Sequence, residues 1–189
     1  MEFLRKKINK VINIYGLETV ARRYFVINSF DGIVVTLSIL LMFYISGFFS
    51  KTMIIKTVLA AAVGASLSGF VGAYFSEVSE RKHHRKKYEK LLLSTLKGSI
   101  IEKYEKHAAI LMGLIEGLSP LIFSLITIIP LILTGNIIFS IYVCFVEIGF
   151  IGYFLSRIAG EKYPFLIIKL IILSFLLAFF LAVIERLIY

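Results

Sequence analysis

The sequence has a single cysteine, no tryptophan and none of the motifs of common hydrolases. Cys144 lies in an apolar run, which excludes an internal disulfide framework. The sequence contains no GxSxG or HExxH motif, no Cys–His pairing and no glycine-rich phosphate loop. Without a nucleophile–base constellation, the sequence predicts that the protein is not an enzyme and holds no permanent cofactor. No short apolar core with a small-residue cleavage site precedes the first long apolar run, so no cleavable signal peptide is expected.

Acidic residues are scarce relative to basic ones. The chain has 12 Asp and Glu against 21 Lys and Arg, a net charge of +9. These cations cluster beside apolar runs, as they do on the cytoplasmic side of membrane proteins. The distribution therefore favours a lipid bilayer as partner and argues against nucleic acid.

Long apolar runs are abundant. Hydrophobic residues make up 59% of the 189-residue chain, whereas soluble domains contain roughly 45–50%. A membrane-spanning helix needs about 20 consecutive apolar residues. The sequence predicts an all-α integral membrane protein with five transmembrane helices, at about 25–49, 55–78, 107–133, 137–157 and 164–185.

The polar segments suggest how the chain is organised. Residues 1–24 form a basic amphipathic segment, and residues 25–189 form the five-span membrane domain. Within this domain, residues 79–106 are expected to form a short cytoplasmic helical insertion between the second and third spans, with Gly98 as a weak point. The Lys and Arg distribution predicts a cytoplasmic N-terminus in a multi-pass protein of the cell membrane.

Four carboxylates lie inside or at the ends of the apolar spans: Asp31, Glu77, Glu116 and Glu147. A charge at the bilayer centre costs roughly 2.5–3.5 kcal/mol on insertion scales, and such residues commonly line ion pathways. These four are the candidate ion pathway. The alternative is that each carboxyl makes a structural hydrogen bond between helices.

Pro120 affects the backbone carbonyl of Glu116. Proline has no amide hydrogen, so it cannot bond the carbonyl of the residue four positions earlier, which is Glu116. Transporters use such interrupted helices to coordinate cations. A plain helix kink is the alternative.

Further candidate metal ligands lie at the cytoplasmic end and on the first span. Carboxylates and imidazoles at i, i+3 spacing can hold transition metals, whereas surface ion pairing is the alternative for the polar segment. A methionine sulfur is a possible soft ligand, although packing is its usual role. The candidate metal ligands are Asp31, Glu77, Glu80, His83, Glu102, Glu105 and Met42.

Small residues recur every four positions in the second span. Such a row lets helices approach closely in lipid. The predicted helix-packing residues are Ala61, Ala65, Gly69, Gly72 and Ala73.

Three stretches in this order resemble the vacuolar iron transporter family: "RRYFVINSFDGIVVTLSI", "GASLSGFVGAYFSEVSERK" and "GLSPLIFSLITIIPLIL". The resemblance implies a homodimer that moves Fe²⁺ or Mn²⁺ out of the cytosol against protons, with Asp31 in the ion pathway. Gly69 and Ala73 stand where that family has Met and Glu, and Glu77 lies one turn further along. The polar insertion is much shorter than the family's metal-binding domain.

Taken together, the residues and the resemblance predict a proton-coupled transporter of divalent metal cations. The alternative is a membrane scaffold or regulatory protein that retains the fold without transporting ions. Acidic residues that converge on one polar cavity would favour the transporter. Carboxyls bonded to separate helices would favour the scaffold.

Overall fold

The chain folds entirely into α-helices over the part that the structure describes. A computed structural model describes residues 17–160 and 163–188. This part of the chain contains no β-strand, which confirms the all-α prediction. Its five helices are α1 (Leu17–Ile45), α2 (Lys51–Leu92), α3 (Ile100–Thr134), α4 (Ile137–Ala159) and α5 (Tyr163–Ile188).

Four of the helices, α1 to α4, are long and apolar enough to cross a membrane. Each contains an 18-residue window with no more than two charged side chains. In α5, the apolar helix found within the described residues is shorter and runs from Ile167 to Leu181. Length and composition thus agree with a multi-pass protein, while membrane insertion and a fifth span at α5 remain predictions.

Helices continue through much of the polar segments in the part of the chain that the structure describes. The predicted boundary at residue 24 falls inside α1, and residues 1–16 of the amphipathic segment lie outside the described residues. The predicted insertion 79–106 is the end of α2, a turn at 93–99 and the beginning of α3. No proline or glycine interrupts α2 between positions 73 and 92, so the helix has no reason to end at residue 78.

The turn that joins α2 to α3 contains two left-handed residues, Leu93 at φ 51° and Gly98 at φ 74°. Gly98 is therefore the weak point that the sequence suggests. Between α3 and α4, Gly135 has φ 71° and donates its amide to the carbonyl of Leu131 at 3.0 Å. The Asn136 side chain then accepts the amide of Ile138 and caps α4.

The chain divides into two compact units. Within the described residues, the first unit comprises 17–25 and 67–118, and the second comprises 26–66 and 119–188, with residues 161–162 outside the description. The first unit has a buried apolar core that joins the start of α1 to α3. Its members are Leu17, Ala108 and Met112, with Val20, Ala21, Tyr24 and Ile115 packed against them.

Two helices of the second unit approach unusually closely at Gly32. A Cβ atom placed on Gly32 would lie 2.6 Å from the Cα of Pro120 and 2.7 Å from its carbonyl oxygen. Only glycine allows the backbones of α1 and α3 to approach this closely. The glycine that follows Asp31 is therefore a packing residue.

Candidate functional site

Glu77 is the centre of a buried polar cluster in the first unit. Its Oε2 accepts a hydrogen bond from Arg81 Nη2 at 2.6 Å, one turn further along α2. Its Oε1 accepts from the Tyr24 hydroxyl of α1 at 3.2 Å. Glu77 is only 8% exposed, so its two oxygens are satisfied by protein groups rather than by bulk water.

Glu116 belongs to the same unit but its carboxyl is incompletely bonded. The side chain is half-buried in α3, and its Oε2 is buried with no hydrogen-bond partner among the described residues. Glu116 lies within electrostatic range of Glu77 and of Tyr24. The cluster therefore holds one paired and one unpaired carboxyl.

Gly69 of α2 makes the space that Glu116 occupies. A Cβ atom on Gly69 would lie 3.4 Å from both the Cγ and the carbonyl oxygen of Glu116. Pro120 leaves that carbonyl without its normal helical amide donor, as the sequence predicts. The carboxyl stem and the freed carbonyl of Glu116 thus lie on the same side, against a residue without a side chain.

The second unit contains another buried carboxyl, Glu147 of α4. Its Oε2 accepts from the Thr127 hydroxyl of α3 at 2.6 Å, and the Cys144 thiol lies 4.0 Å from that hydroxyl oxygen. Glu147 is 6% exposed, and its Oε1 has no hydrogen-bond partner in the part of the chain that the structure describes. Sequence analysis missed Thr127 and Cys144. The i, i+3 spacing of Cys144 and Glu147 indicates that these two side chains are neighbours on α4. The sequence has no comparable signal for Thr127.

Asp31 points away from the packed residues of its own chain. Its side chain is exposed on α1, whereas the adjacent Gly32 is buried against Pro120. Within the described ranges, the Asp31 carboxylate has no hydrogen bond or ion pair. Ser38, seven residues further along α1, donates its hydroxyl to the Val34 carbonyl of the same helix at 2.7 Å.

The acidic residues near the α2–α3 turn are bonded within the protein. Arg85 of α2 contacts Glu102 at 3.3 Å and Glu105 at 3.1 Å, both on α3. Glu102 also accepts the Gly98 amide at 2.7 Å, and this hydrogen bond lowers the pKa of the Glu102 carboxyl. Burial raises the pKa of Glu105. These contacts brace the two helices at the turn.

The other candidate ligands on α2 also show ion pairing. Glu80 contacts His84 at 3.1 Å with i, i+4 spacing, while the predicted ligand His83 is exposed. Among the described residues, no group of three or more His, Cys, Asp or Glu side chains is arranged to hold a metal ion. Glu77 and Glu80 therefore adopt the ion pairing that the sequence leaves as the alternative. Metal capture by these residues, or by the half-buried Met42, stays a prediction.

The predicted packing row of α2 divides into two groups. Gly69 faces Glu116 and Ala73 is buried, so these two residues pack inside the chain. Ala65 and Gly72 are exposed, and a Cβ atom on Gly72 would meet nothing within 4 Å. Ala61 is half-buried. The exposed members leave a face of small side chains that no described residue covers.

The fold defines an all-α protein with four helices long and apolar enough to cross a membrane, and with carboxyl groups buried in or displayed on these helices. The chain is 30% identical over 164 residues to the uncharacterized protein MJ0645 of Methanocaldococcus jannaschii. That match covers 83% of this chain and 84% of the archaeal protein. The chain belongs to the family of that protein. No family model matches the chain, and no solved structure matches it.

Proposed function

We propose that the protein is a membrane transporter of divalent metal cations, of the Fe²⁺ and Mn²⁺ class, which exports them from the cytosol in exchange for protons. The observation that carries the proposal is the pair of unbonded carboxyl oxygens, Glu116 Oε2 and Glu147 Oε1, in helices apolar enough to cross a membrane. Each intramembrane charge costs roughly 2.5–3.5 kcal/mol on insertion scales. Free carboxyl oxygens in such helices are the groups that a desolvated cation needs.

The position of Asp31 supports the same function. An exposed carboxylate on an apolar helix faces lipid unless an ion pathway or a second protein copy covers it. The resemblance to vacuolar iron transporters supplies both, because those proteins are homodimers with this aspartate in the ion pathway. The exposed small residues Ala65 and Gly72 suit close packing against a second copy.

Glu116 offers a replacement for the ligands that the family carries on its second helix. Gly69 and Ala73 have no ligand atoms in their side chains, but the Glu116 stem lies against Gly69. A carboxylate and a free backbone carbonyl are hard oxygen ligands. They suit Mn²⁺ and Fe²⁺ better than soft ions such as Cu⁺.

Glu147 is the proposed carrier of the exchanging proton. Its carboxyl lies with Thr127 inside the second unit, and no cationic side chain is bonded to it among the described residues. A carboxyl in such surroundings is accommodated best when it is protonated. Release and rebinding of this proton would link cation export to proton entry.

The membrane arrangement that goes with this function has five spans, a cytoplasmic N-terminus and a location in the cell membrane. The turn at 93–99 then lies on the cytoplasmic side. Glu80, His83, Glu102 and Glu105 would draw cations toward the pathway from there. Since three of these residues are ion-paired, this attraction would act through the local field more than through direct ligation.

Flux measurements on the purified protein in liposomes test the proposal. Asp31→Asn, Glu116→Gln and Glu147→Gln keep side-chain shape and remove charge. Each should reduce Mn²⁺ flux at least about tenfold, which corresponds to about 1.4 kcal/mol, and Glu147→Gln should also flatten the pH dependence. Glu18→Gln is the matched control, because Glu18 is an exposed acid of α1 paired only at the surface.

Scattering and thermal unfolding should show that each variant keeps the wild-type oligomer and fold. If all three variants transport normally, the carboxyls are not the ion pathway. The second candidate, a scaffold, is favoured by the hydrogen bonds Glu147–Thr127 and Glu77–Tyr24, each of which joins two different helices. A wild-type protein that moves neither Mn²⁺ nor Fe²⁺ would select it.

A further inference from the structure

Arg81 is a buried cation that the transport proposal does not use. The residue is 8% exposed, and its guanidinium lies 2.6 Å from Glu77 Oε2. Burying an ion pair removes both charges from water, and a well-packed apolar pair of similar volume is often as stable or more stable. Stability alone therefore gives little reason for this position to hold an arginine.

Two carboxylates lie within electrostatic range of the Arg81 guanidinium. The first, Glu77, is bonded to it. The second, Glu105 of α3, is 8% exposed, interacts electrostatically with Arg81 and is bonded to Arg85. Arg81 thus has a second anionic partner nearby if it leaves Glu77.

Glu77 also has a second charged neighbour, the carboxylate of Glu116. Glu116 lies within electrostatic range, with an unpaired Oε2, and the Tyr24 hydroxyl remains on Glu77 Oε1. Without Arg81, the ionised carboxylates of Glu77 and Glu116 carry two negative charges. That charge is balanced by one divalent cation.

We propose that Arg81 is a tethered cation that occupies Glu77 when no metal is bound, and that a divalent cation displaces it toward Glu105. This inference rests on the proposed transport function, and it assigns to Arg81 a positioning role in the same cluster. The guanidinium keeps Glu77 neutralised between transport cycles. It also competes with the cation, so binding is weaker than the two carboxylates alone would give.

The competition between Arg81 and the cation should change the apparent binding affinity by a measurable factor. When a binding site is free in only a fraction of the molecules, the apparent affinity falls by that fraction. If Arg81 holds Glu77 in about nine molecules of ten, removing the guanidinium should tighten cation binding about tenfold. A purely structural ion pair predicts no such gain.

The test is a Mn²⁺ titration of the purified full-length protein in detergent. Thermal unfolding measures the stability at each Mn²⁺ concentration, and the electron paramagnetic resonance signal of free Mn²⁺ measures binding. Arg81→Gln should unfold at a lower temperature without metal, regain stability on Mn²⁺ addition, and bind Mn²⁺ about tenfold more tightly than wild type. Arg22→Gln is the matched control, since Arg22 is an exposed arginine paired at i, i+4 with Glu18. It should behave as wild type.

The double variant Glu77→Gln/Arg81→Gln should lose the gain in affinity, because the carboxylate that the guanidinium protects is gone. An Arg81→Gln protein with unchanged Mn²⁺ affinity would overturn the inference, as would a double variant that binds like the single one. Should Arg81→Gln not fold, Arg81→Lys replaces it. Lysine keeps the positive charge on a shorter side chain, so the Mn²⁺ affinity should increase less than in Arg81→Gln. An unchanged Mn²⁺ affinity would again overturn the inference.

The two proposals fail in different ways. Tighter binding by Arg81→Gln without any wild-type flux in liposomes would leave the tethered cation intact and remove the transport function. Wild-type flux together with unchanged binding by Arg81→Gln would remove only the role of Arg81.

Discussion

Gly32 shows how one residue sets the distance between two helices. It follows Asp31, is fully enclosed and lies against the backbone of Pro120. The absence of a Cβ atom matters here, whereas some other helical glycines have space around them. At Gly149 of α4, a Cβ atom would meet nothing within 4 Å.

Replacing each of these glycines by alanine should therefore have opposite effects. Gly32→Ala forces a methyl group to within 2.6 Å of Pro120 Cα and should destabilise the protein by about 1–3 kcal/mol, as overpacked sites do. Gly149→Ala should be neutral or stabilise by up to about 1 kcal/mol through helix propensity. Thermal unfolding in detergent measures both. Equal melting temperatures for Gly32→Ala and wild type would show that α1 and α3 can separate at no cost.

At the scale of elements, the α2–α3 turn is held by polar contacts rather than by a large apolar core. Arg85 bridges two carboxylates of α3, and side chains accept the free amides of the turn. Glu89 accepts the Leu96 amide at 2.8 Å, and Glu102 accepts the Gly98 amide. Leu93 is 94% exposed, so apolar burial contributes little at the tip.

The stability of this turn should depend on the ionisation of Glu102. Its pKa is lowered in the folded protein, so its contribution is present above the ordinary pKa of glutamate and is lost as the pH falls through the lower folded value. Ionisation of Glu105 has the opposite effect on the stability of the turn, because burial raises the pKa of this carboxyl. Hydrogen exchange of peptides covering 93–102, corrected for intrinsic rates, should therefore accelerate as the pH falls below the ordinary glutamate pKa of about 4.3.

Glu102→Gln isolates this contribution from that of Glu105. The variant should exchange faster than wild type near neutral pH and lose part of the pH dependence. Glu80→Gln is the control, because Glu80 contacts only the exposed His84 among the described residues. An identical pH profile for wild type and Glu102→Gln would show that the carboxylate does not hold the turn.

For the whole molecule, the membrane arrangement follows from the charges that flank the helices. The connection between α1 and α2 at 46–50 has no basic residue, whereas the end of α2 carries many. By the positive-inside rule, the proposed topology has these two regions on opposite sides of the membrane. Ser46 and Lys86 are exposed positions in the two regions, and Cys144 is buried.

Single cysteines at these positions test the arrangement in intact cells. In a Cys144→Ser background, Lys86→Cys should react with a membrane-impermeant maleimide only after the cells are opened. Ser46→Cys should react from outside. Unlabelled Cys144→Ser protein controls for background. Reaction of both cysteines from the same side would disprove the proposed topology.

The amino-acid sequence alone is enough to predict the helical class and the glycines at which the chain turns. Apolar runs longer than a bilayer needs, together with glycines at 98, 135 and 160, depend only on local composition and backbone preference. The pairing of Glu77 with Arg81 is also local, because residues four apart on a helix lie on one side. The continuation of α2 past residue 78 is also local, because a polar sequence does not end a helix.

Which helices meet, and through which atoms, depends on how the helices pack. Tyr24 on Glu77, Gly69 against Glu116, Thr127 on Glu147 and Gly32 against Pro120 each join residues far apart in the chain. These contacts depend on the rotation of each helix about its axis and on its depth beside a neighbour. Neither quantity is fixed by hydrophobicity when a helix is apolar on every side. The carboxyls could therefore be identified from the sequence, whereas their bonded and unbonded oxygens could not.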